Sequence, residues 1–483
     1  MNYRMITSTV GKLLMIEALF MTLPLFVAFY YDEGLKVAGV YAAVMALLIA
    51  AGTILTFFKP EHKRIFAKEG FVIVALSWVL VAFFGALPFY FSGEIPHFTD
   101  AFFETVSGLT TTGASILTDI EALPKSLLFW RSFTHWIGGM GVIVFVLAVL
   151  PQKDTRSMHI MRAEVPGPIV GKLLSKTTAT ARILYLLYTA ITLLEAFILY
   201  LGRVPLFDSI TLAFSTAGTG GFAIKNASVA AYDNLYVEIV LSLFMIIFGI
   251  NFNLFYLVLV RQVKRVLKSE ELWVYLSIIA VSTLTIACNI LPSVQTFGSA
   301  LRQAGFTVSS IISTTGFVTA DFNTWPTFSK CILVALMLVG TMAGSTGGGL
   351  KIARIIILFK SGLREIRRAI RPGTVKCIKL DGAVIDKGTV STVNSYFTLY
   401  MVIIAVSAIL VSFNNLDFTS TVSAVITCIN NVGPGLGAVG PTSNFSALSA
   451  FSKIVLSADM LIGRLEIFPM LILFSPASWK KNS

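Results

Sequence analysis

Charge is scarce in this chain of 483 residues: Asp, Glu, Lys and Arg together supply 13%, about half the share of a soluble domain. That excludes an ordinary water-soluble fold. Cysteine is scarce too. Cys288, Cys331, Cys377 and Cys428 are scattered with no CxxC pair, which excludes a disulfide framework and a zinc ribbon. The histidines His62, His97, His135 and His159 stand at no ligand spacing from one another or from a cysteine or carboxylate, so they read as interfacial or loop residues. Beside Asp459 and Glu466 near the C-terminus, membrane carboxylates are few: Glu17, Glu104 and Glu195. Carriers coupled to protons or sodium keep essential acids at mid-membrane sites, and no strong candidate stands out here. No nucleophile, metal cluster or acid–base pair converges, so an enzyme is not expected.

What the chain has is apolar length. Hydrophobic residues make up 56%, mean hydropathy is +0.82, and the apolar runs are about 20 residues long. This predicts an all-α polytopic membrane protein with about ten spans, near 8–31, 37–58, 70–92, 132–151, 183–202, 237–260, 272–292, 328–359 (interrupted), 395–413 and 453–474. The first run is too long for a signal sequence and is kept as structure. The net charge of +12 sits in alternate loops. One set holds Lys59, Lys63, Arg64 and Lys68, then Lys153 to Lys176, then Arg261 to Lys268, then Arg364 to Lys387, then Lys480 and Lys481. By the positive-inside rule this face and both termini are cytoplasmic. The basic charge reports topology, and no nucleic-acid partner is expected.

The opposite loops hide a repeat. DAFFETVSGLTTTGA (Asp100 to Ala114), DSITLAFSTAGTGGF (Asp208 to Phe222), QAGFTVSSIISTTGF (Gln303 to Phe317) and STVSAVITCINNVGP (Ser420 to Pro434) can be laid over one another. Each opens on a residue able to cap a helix and closes on a polar tetrad ending in glycine. The tetrads are Thr110, Thr111, Thr112, Gly113; Gly218, Thr219, Gly220, Gly221; Ser313, Thr314, Thr315, Gly316; and Asn430, Asn431, Val432, Gly433. Every copy lies between two apolar spans. The chain therefore divides into an N-terminal helix pair (1–66) and four helix–loop–helix units: 67–152, 153–266, 267–392 and 393–483.

The half-helices are too short to cross a bilayer, so they read as re-entrant segments shielded from lipid. Their carbonyl ends carry about half a negative charge. Four such ends aimed at one axis, followed by carbonyl-rich tetrads, predict a cation pore.

A second glycine-rich stretch, GTMAGSTGGGLK (Gly340 to Lys351), interrupts an apolar span. Glycine costs about 1 kcal/mol in a helix interior, so the segment is expected to be a loop lining something wet. It is not a phosphate loop: Leu350 precedes Lys351 and Ile352 follows it, which puts the lysine out of register. Small-residue helix packing is the plainer alternative. Arg464 lies alone in the last apolar run; it either pairs with Asp459 or Glu466, caps broken-helix carbonyls, or faces a wet cavity. On the basic face, Lys360 to Thr392 reads as a helix extension stopped by Pro372-Gly373. A hairpin of about Thr374–Leu380 and Ala383–Ile385 follows, turning at Asp381-Gly382. Its arginines suit either lipid headgroups or a docking platform.

These tetrads, together with GSTGGGLK and Arg464, resemble the TrkH/TrkG/KtrB family of bacterial potassium-uptake proteins, most closely the TrkH type, over nearly the whole chain. The resemblance implies a potassium-conducting subunit of the bacterial cytoplasmic (inner) membrane, usually a homodimer. It implies a cytosolic nucleotide-binding gating ring of the TrkA/KtrA type as partner, K+ as transported ion, and no cofactor bound by the chain. Carried over residue by residue, Gly113, Gly221, Gly316 and Gly433 are filter glycines. Gly340, Gly344, Ser345, Thr346, Gly347, Gly348, Gly349 and Lys351 belong to an intramembrane gating loop, and Arg464 lies beneath the filter. No tetrad is of the TVGYG type and the fourth carries asparagines, so selectivity for potassium over sodium is expected to be weaker than in a fourfold-symmetric channel. A sodium- or proton-coupled symporter is the alternative.

Overall fold

The computed structural model describes residues 2–57, 67–141, 177–372 and 377–479. Among them six helices are long and apolar enough to cross a bilayer: Tyr3–Tyr30, Gly34–Phe57, Lys68–Ser92, Ala181–Leu201, Glu270–Val294 and Lys387–Ser412. Their outward faces carry large apolar side chains such as Leu186, Phe197, Val281 and Ile409, each at least half exposed, as expected where the solvent is lipid. This is an integral membrane protein, nearly all helix. The one sheet among the described residues is the hairpin Lys379–Leu380 against Ala383–Val384, shorter than the sequence predicts; residues 373–376 lie outside the described residues.

The first two spans form a pair beside the first repeat. They cross where Gly11 and Gly52 meet, and a Cβ on either would come within 2.7 Å of the other's carbonyl oxygen. Small residues allow this approach, and in lipid close packing replaces the hydrophobic effect as the glue.

The other four long helices each precede a half-helix: Phe98–Leu109, Leu206–Gly218, Phe297–Ile312 and Phe418–Ile429. The sequence places helix starts at Asp100, Asp208, Gln303 and Ser420, but all four lie inside the helices. The caps are earlier: Thr296 accepts from Ser299 N, and Asp417 accepts from Ser420 N. The first and second half-helices begin at His97 and Pro205 with no side-chain cap. After each half-helix the chain returns in an inner helix, and here the sequence reading needs correction. It anticipates one interruption, at Gly340–Lys351, which is present between Thr327–Val339 and Ile352–Ile370. The run 237–260 is also broken, with Leu235–Phe248 and Phe252–Leu259 bent by 91°. The run 453–474 divides into Ala450–Arg464 and Phe468–Phe474. Apolar composition hides these breaks, because hydropathy reports burial in lipid and not backbone continuity. Of the run 132–151, the helix Lys125–Gly139 and the two residues after it are described, and 142–151 lie outside the described residues.

Candidate functional site

All four half-helices end in one backbone pattern. The N–H of the second tetrad residue bonds the carbonyl three residues back: Thr111 to Gly108, Thr219 to Thr216, Thr314 to Ile311 and Asn431 to Cys428, at 2.9–3.2 Å. The N–H of the third reaches five back: Thr112 to Ser107, Gly220 to Ser215, Thr315 to Ser310 and Val432 to Thr427, at 2.8–3.0 Å. These are Schellman caps, where glycine ordinarily holds the left-handed position. Here Thr111, Thr219, Thr314 and Asn431 hold it, with φ of 56, 56, 57 and 54°. A β-branched residue there is strained by about 1–3 kcal/mol, a kind of strain that clusters at functional sites.

Hydroxyls on either side of the strained residues pair with each other in the first and third tetrads. Thr110 Oγ1 and Thr112 Oγ1 stand 2.8 Å apart, and Ser313 Oγ and Thr315 Oγ1 2.7 Å. Asn431 Nδ2 donates to Thr112 Oγ1 at 2.9 Å and to Met460 O at 3.0 Å. Thus the fourth tetrad is tied to the first across 319 residues of sequence.

The closing glycines complete the arrangement. Gly113, Gly221, Gly316 and Gly433 have φ of 82, 77, 83 and 100°. A Cβ on Gly113 would strike the carbonyl of Gly220, one on Gly221 that of Thr315, and one on Gly316 that of Val432. A Cβ on Gly433 would meet the carbonyl of Thr112. Those contacts run from the first tetrad through the second, third and fourth and back to the first, so the four tetrads form a closed ring. One concave bowl is lined by all four glycines.

Against this ring lies the Gly340–Lys351 loop. Gly348 N donates to Thr314 Oγ1 at 2.8 Å, and a Cβ on Gly347 would come within 2.8 Å of Ser313 O. The loop is pinned on its other side: Met342 N donates to Gly249 O, Phe252 N to Gly344 O, and Thr346 Oγ1 to Phe248 O. It therefore rests on the break in the second inner helix. Lys351 is buried and turns back into its own loop, with Nζ 2.6 Å from Gly347 O and 3.1 Å from Thr341 Oγ1. Glu271 receives Ala343 N and Ala353 N on one oxygen, at 2.7 and 3.1 Å, stapling both ends of the loop to a long helix. Gly340, Gly344 and Gly349 supply positive φ at its bends.

Of the fates the sequence leaves open for Arg464, the structure shows the carbonyl cap and no pairing with Glu466. Its guanidinium donates to Thr346 O in the loop at 2.6 Å, and to Gly138 O and Gly139 O, where the first inner helix ends. Three stretches far apart in sequence thus meet at one side chain. Glu466 pairs instead with Arg354, whose guanidinium stacks 4.0 Å over Tyr396. Just beyond, Ile467 has φ 62° and ψ −59°, and Phe468 N bonds Glu466 O at 2.6 Å: a γ-turn of the strained form, in a fully buried β-branched residue.

Of the groups that brace the ring from behind, sequence reasoning singled out Glu104 without its partners and missed the rest. Glu104 is a structural acceptor: Arg131 Nε lies 2.6 Å away, and Ser115 Oγ and Ile116 N donate to it at 3.0 Å. Arg131 also reaches Ala223 O and covers the Phe222 ring, joining the loops after the first two tetrads. His135 is neither interfacial nor in a loop. It is wholly buried, with Nδ1 2.7 Å from Gly108 O and Nε2 accepting from Phe222 N at 3.2 Å. Lys453 pairs with Asp100 at 2.7 Å, and Asp459 accepts from Ser407. Among the described residues no cluster of three His, Cys, Asp or Glu could hold a metal ion. His62 and His159 lie outside the described residues. We expect Glu104→Ala to lower stability by about 3–5 kcal/mol, because it strands a buried guanidinium. Thermal unfolding in detergent checks this, and a transition within error of wild type would sink it.

A ring of four strained, carbonyl-lined turns inside a polytopic helical protein defines a membrane transport protein. Residues 39–481 match the family model described as "TrkH: Cation transport protein", and the chain belongs to that family. It is 38% identical to the Trk system potassium uptake protein TrkH of Salmonella typhimurium over the full length of both chains. It is 32% identical to the Trk system potassium uptake protein TrkG of Escherichia coli, over 99% of each. The crystal structure of the potassium transporter TrkH from Vibrio parahaemolyticus superposes with a TM-score of 0.89 at 32% identity, covering 99% of this chain and all of the other.

Proposed function

We propose that this chain is the ion-conducting subunit of a bacterial potassium-uptake system, passing K+ inward through the ring of tetrads. The observation that carries the reading is the closed cycle in which each closing glycine abuts a carbonyl of the next tetrad. Rings of backbone carbonyls replace an ion's hydration shell, and the names of the similar proteins supply potassium. Thr110–Gly113, Gly218–Gly221, Ser313–Gly316 and Asn430–Gly433 would form the filter. The Gly340–Lys351 loop, held against the filter by Thr314 and Arg464, would be the gate. The units 1–66, 67–152, 153–266, 267–392 and 393–483 are the proposed divisions. A homodimer, a cytosolic nucleotide-binding ring that moves the gate, and an inner-membrane position with both termini in the cytoplasm complete the reading.

The test is flux in proteoliposomes holding the purified chain alone, comparing K+, Rb+ and Na+ gradients at clamped voltage. Flux that follows the electrochemical gradient and favours K+ is expected. Flux that requires an opposing H+ or Na+ gradient would overturn channel conduction in favour of coupled symport. One buried carboxylate favours keeping that second reading in the test: both oxygens of Glu17 meet no hydrogen-bond partner among the described residues.

A further inference from the structure

The hairpin after the third inner helix folds back over that helix and leaves a half-open cavity of about 360 Å³, lined by Lys360, Leu363, Arg364, Arg367, Arg368, Cys377, Ile378 and Lys379. Five of the eight are cations and none is an acid. The volume falls in the range of small-ligand sites, about 300–1,000 Å³. Some of the charge is already answered. Lys360 pairs with Glu270, and Glu365 takes Arg364 and Arg368. The side chains of Arg367 and Lys379 have no such partner among the described residues.

Beside the cations runs an exposed apolar stripe. Phe359, Leu363, Ile366 and Ile370 recur at i, i+4, i+7 and i+11 and are 67, 37, 59 and 73% exposed. That spacing keeps them on one face of the helix. The N-terminal part of the same helix, from Ile352 to Ile357, is buried in the membrane body, so the basic end emerges at the bilayer surface. A ligand suited to both features carries a phosphate and an apolar tail.

We propose that this pocket is a binding site for an anionic phospholipid, with the headgroup phosphate held by Arg367 and Lys379 and the acyl chains lying along Phe359, Ile366 and Ile370. Guanidinium groups bind phosphate through paired N–H bonds, and lysine adds a point charge. A bound lipid would tie the hairpin to the helix that leaves the Gly340–Lys351 loop.

Native mass spectrometry of the full chain, extracted from nanodiscs of phosphatidylglycerol or of phosphatidylcholine, reads the site directly. The expected result is a retained phosphatidylglycerol in the first case and none in the second. The pair Arg367→Gln/Lys379→Gln should cut retention at least about tenfold. The pair Lys264→Gln/Arg265→Gln, equally cationic and on another basic loop, should leave it unchanged. Equal losses in the two pairs would mean generic surface attraction and overturn the site. Displacement of the lipid by millimolar inorganic phosphate would show a free-anion site and overturn the lipid assignment. Retention unaffected by Arg367→Gln/Lys379→Gln would overturn it as well, leaving the pocket to an acidic protein surface.

Discussion

Gly221→Ala will stop potassium flux without preventing membrane insertion. Gly221 stands at φ +77°, and its Cβ would run into the carbonyl oxygen of Thr315. Backbone strain alone costs about 1–2 kcal/mol. The collision is the larger effect, because a backbone carbonyl cannot rotate away as a flexible side chain can. Thr315 is held by its own N–H to Ser310 O and by its hydroxyl to Ser313. The disturbance therefore passes around the ring. An added barrier of 1.4 kcal/mol already slows a step about tenfold, and a displaced carbonyl in the proposed filter should cost more. Gly93→Ala separates the two effects: φ is +89° there, yet nothing lies within 4 Å of the added Cβ. That variant carries the strain without the collision and should keep wild-type flux. If Gly221→Ala conducts as well as Gly93→Ala in proteoliposomes, the ring of tetrads is not the ion path.

How much of this was legible in the sequence follows from where each signal lives. The tetrads were, because a chain that places Thr-Thr-Gly, Thr-Gly-Gly or Asn-Val-Gly after an amphipathic half-helix, four times in all, announces the turn locally. The Gly340–Lys351 break was, because several glycines within twelve residues overwhelm the apolar pattern. The break at Gly249–Asn251 was not, since one glycine and one asparagine in a phenylalanine-rich run look like tolerated interruptions. Long-range pairs were out of reach by nature. Arg131 and Glu104 are 27 residues apart, Arg354 and Glu466 112, and Lys453 and Asp100 353. Each looks like a lone charge until the repeats close on one another. His135 was misread for the same reason: spacing rules find metal sites, but its partners are a carbonyl and an amide, which sequence does not mark.

Arg464→Ala should raise basal flux at least about threefold in the absence of any cytosolic partner, in proteoliposomes matched for protein content. The guanidinium bridges Thr346 O, Gly138 O and Gly139 O. It is buried, and an unpaired buried carbonyl costs about 1–3 kcal/mol. Removing it therefore lifts the energy of the arrangement in which the loop is seated against the ring, and leaves alternatives in which those carbonyls meet water comparatively favoured. If the proposed ion path also passes this side chain beneath the tetrads, removing its positive charge lowers the electrostatic barrier as well. Arg464→Lys distinguishes the two contributions. Lysine keeps the charge but cannot span three carbonyls with a planar fork, so intermediate leak means that seating matters and wild-type tightness means that charge alone suffices. Melting temperature in detergent must be read alongside, since the same side chain joins three stretches far apart in sequence. A folded Arg464→Ala protein with unchanged basal flux would mean that Arg464 braces the structure without holding the loop closed.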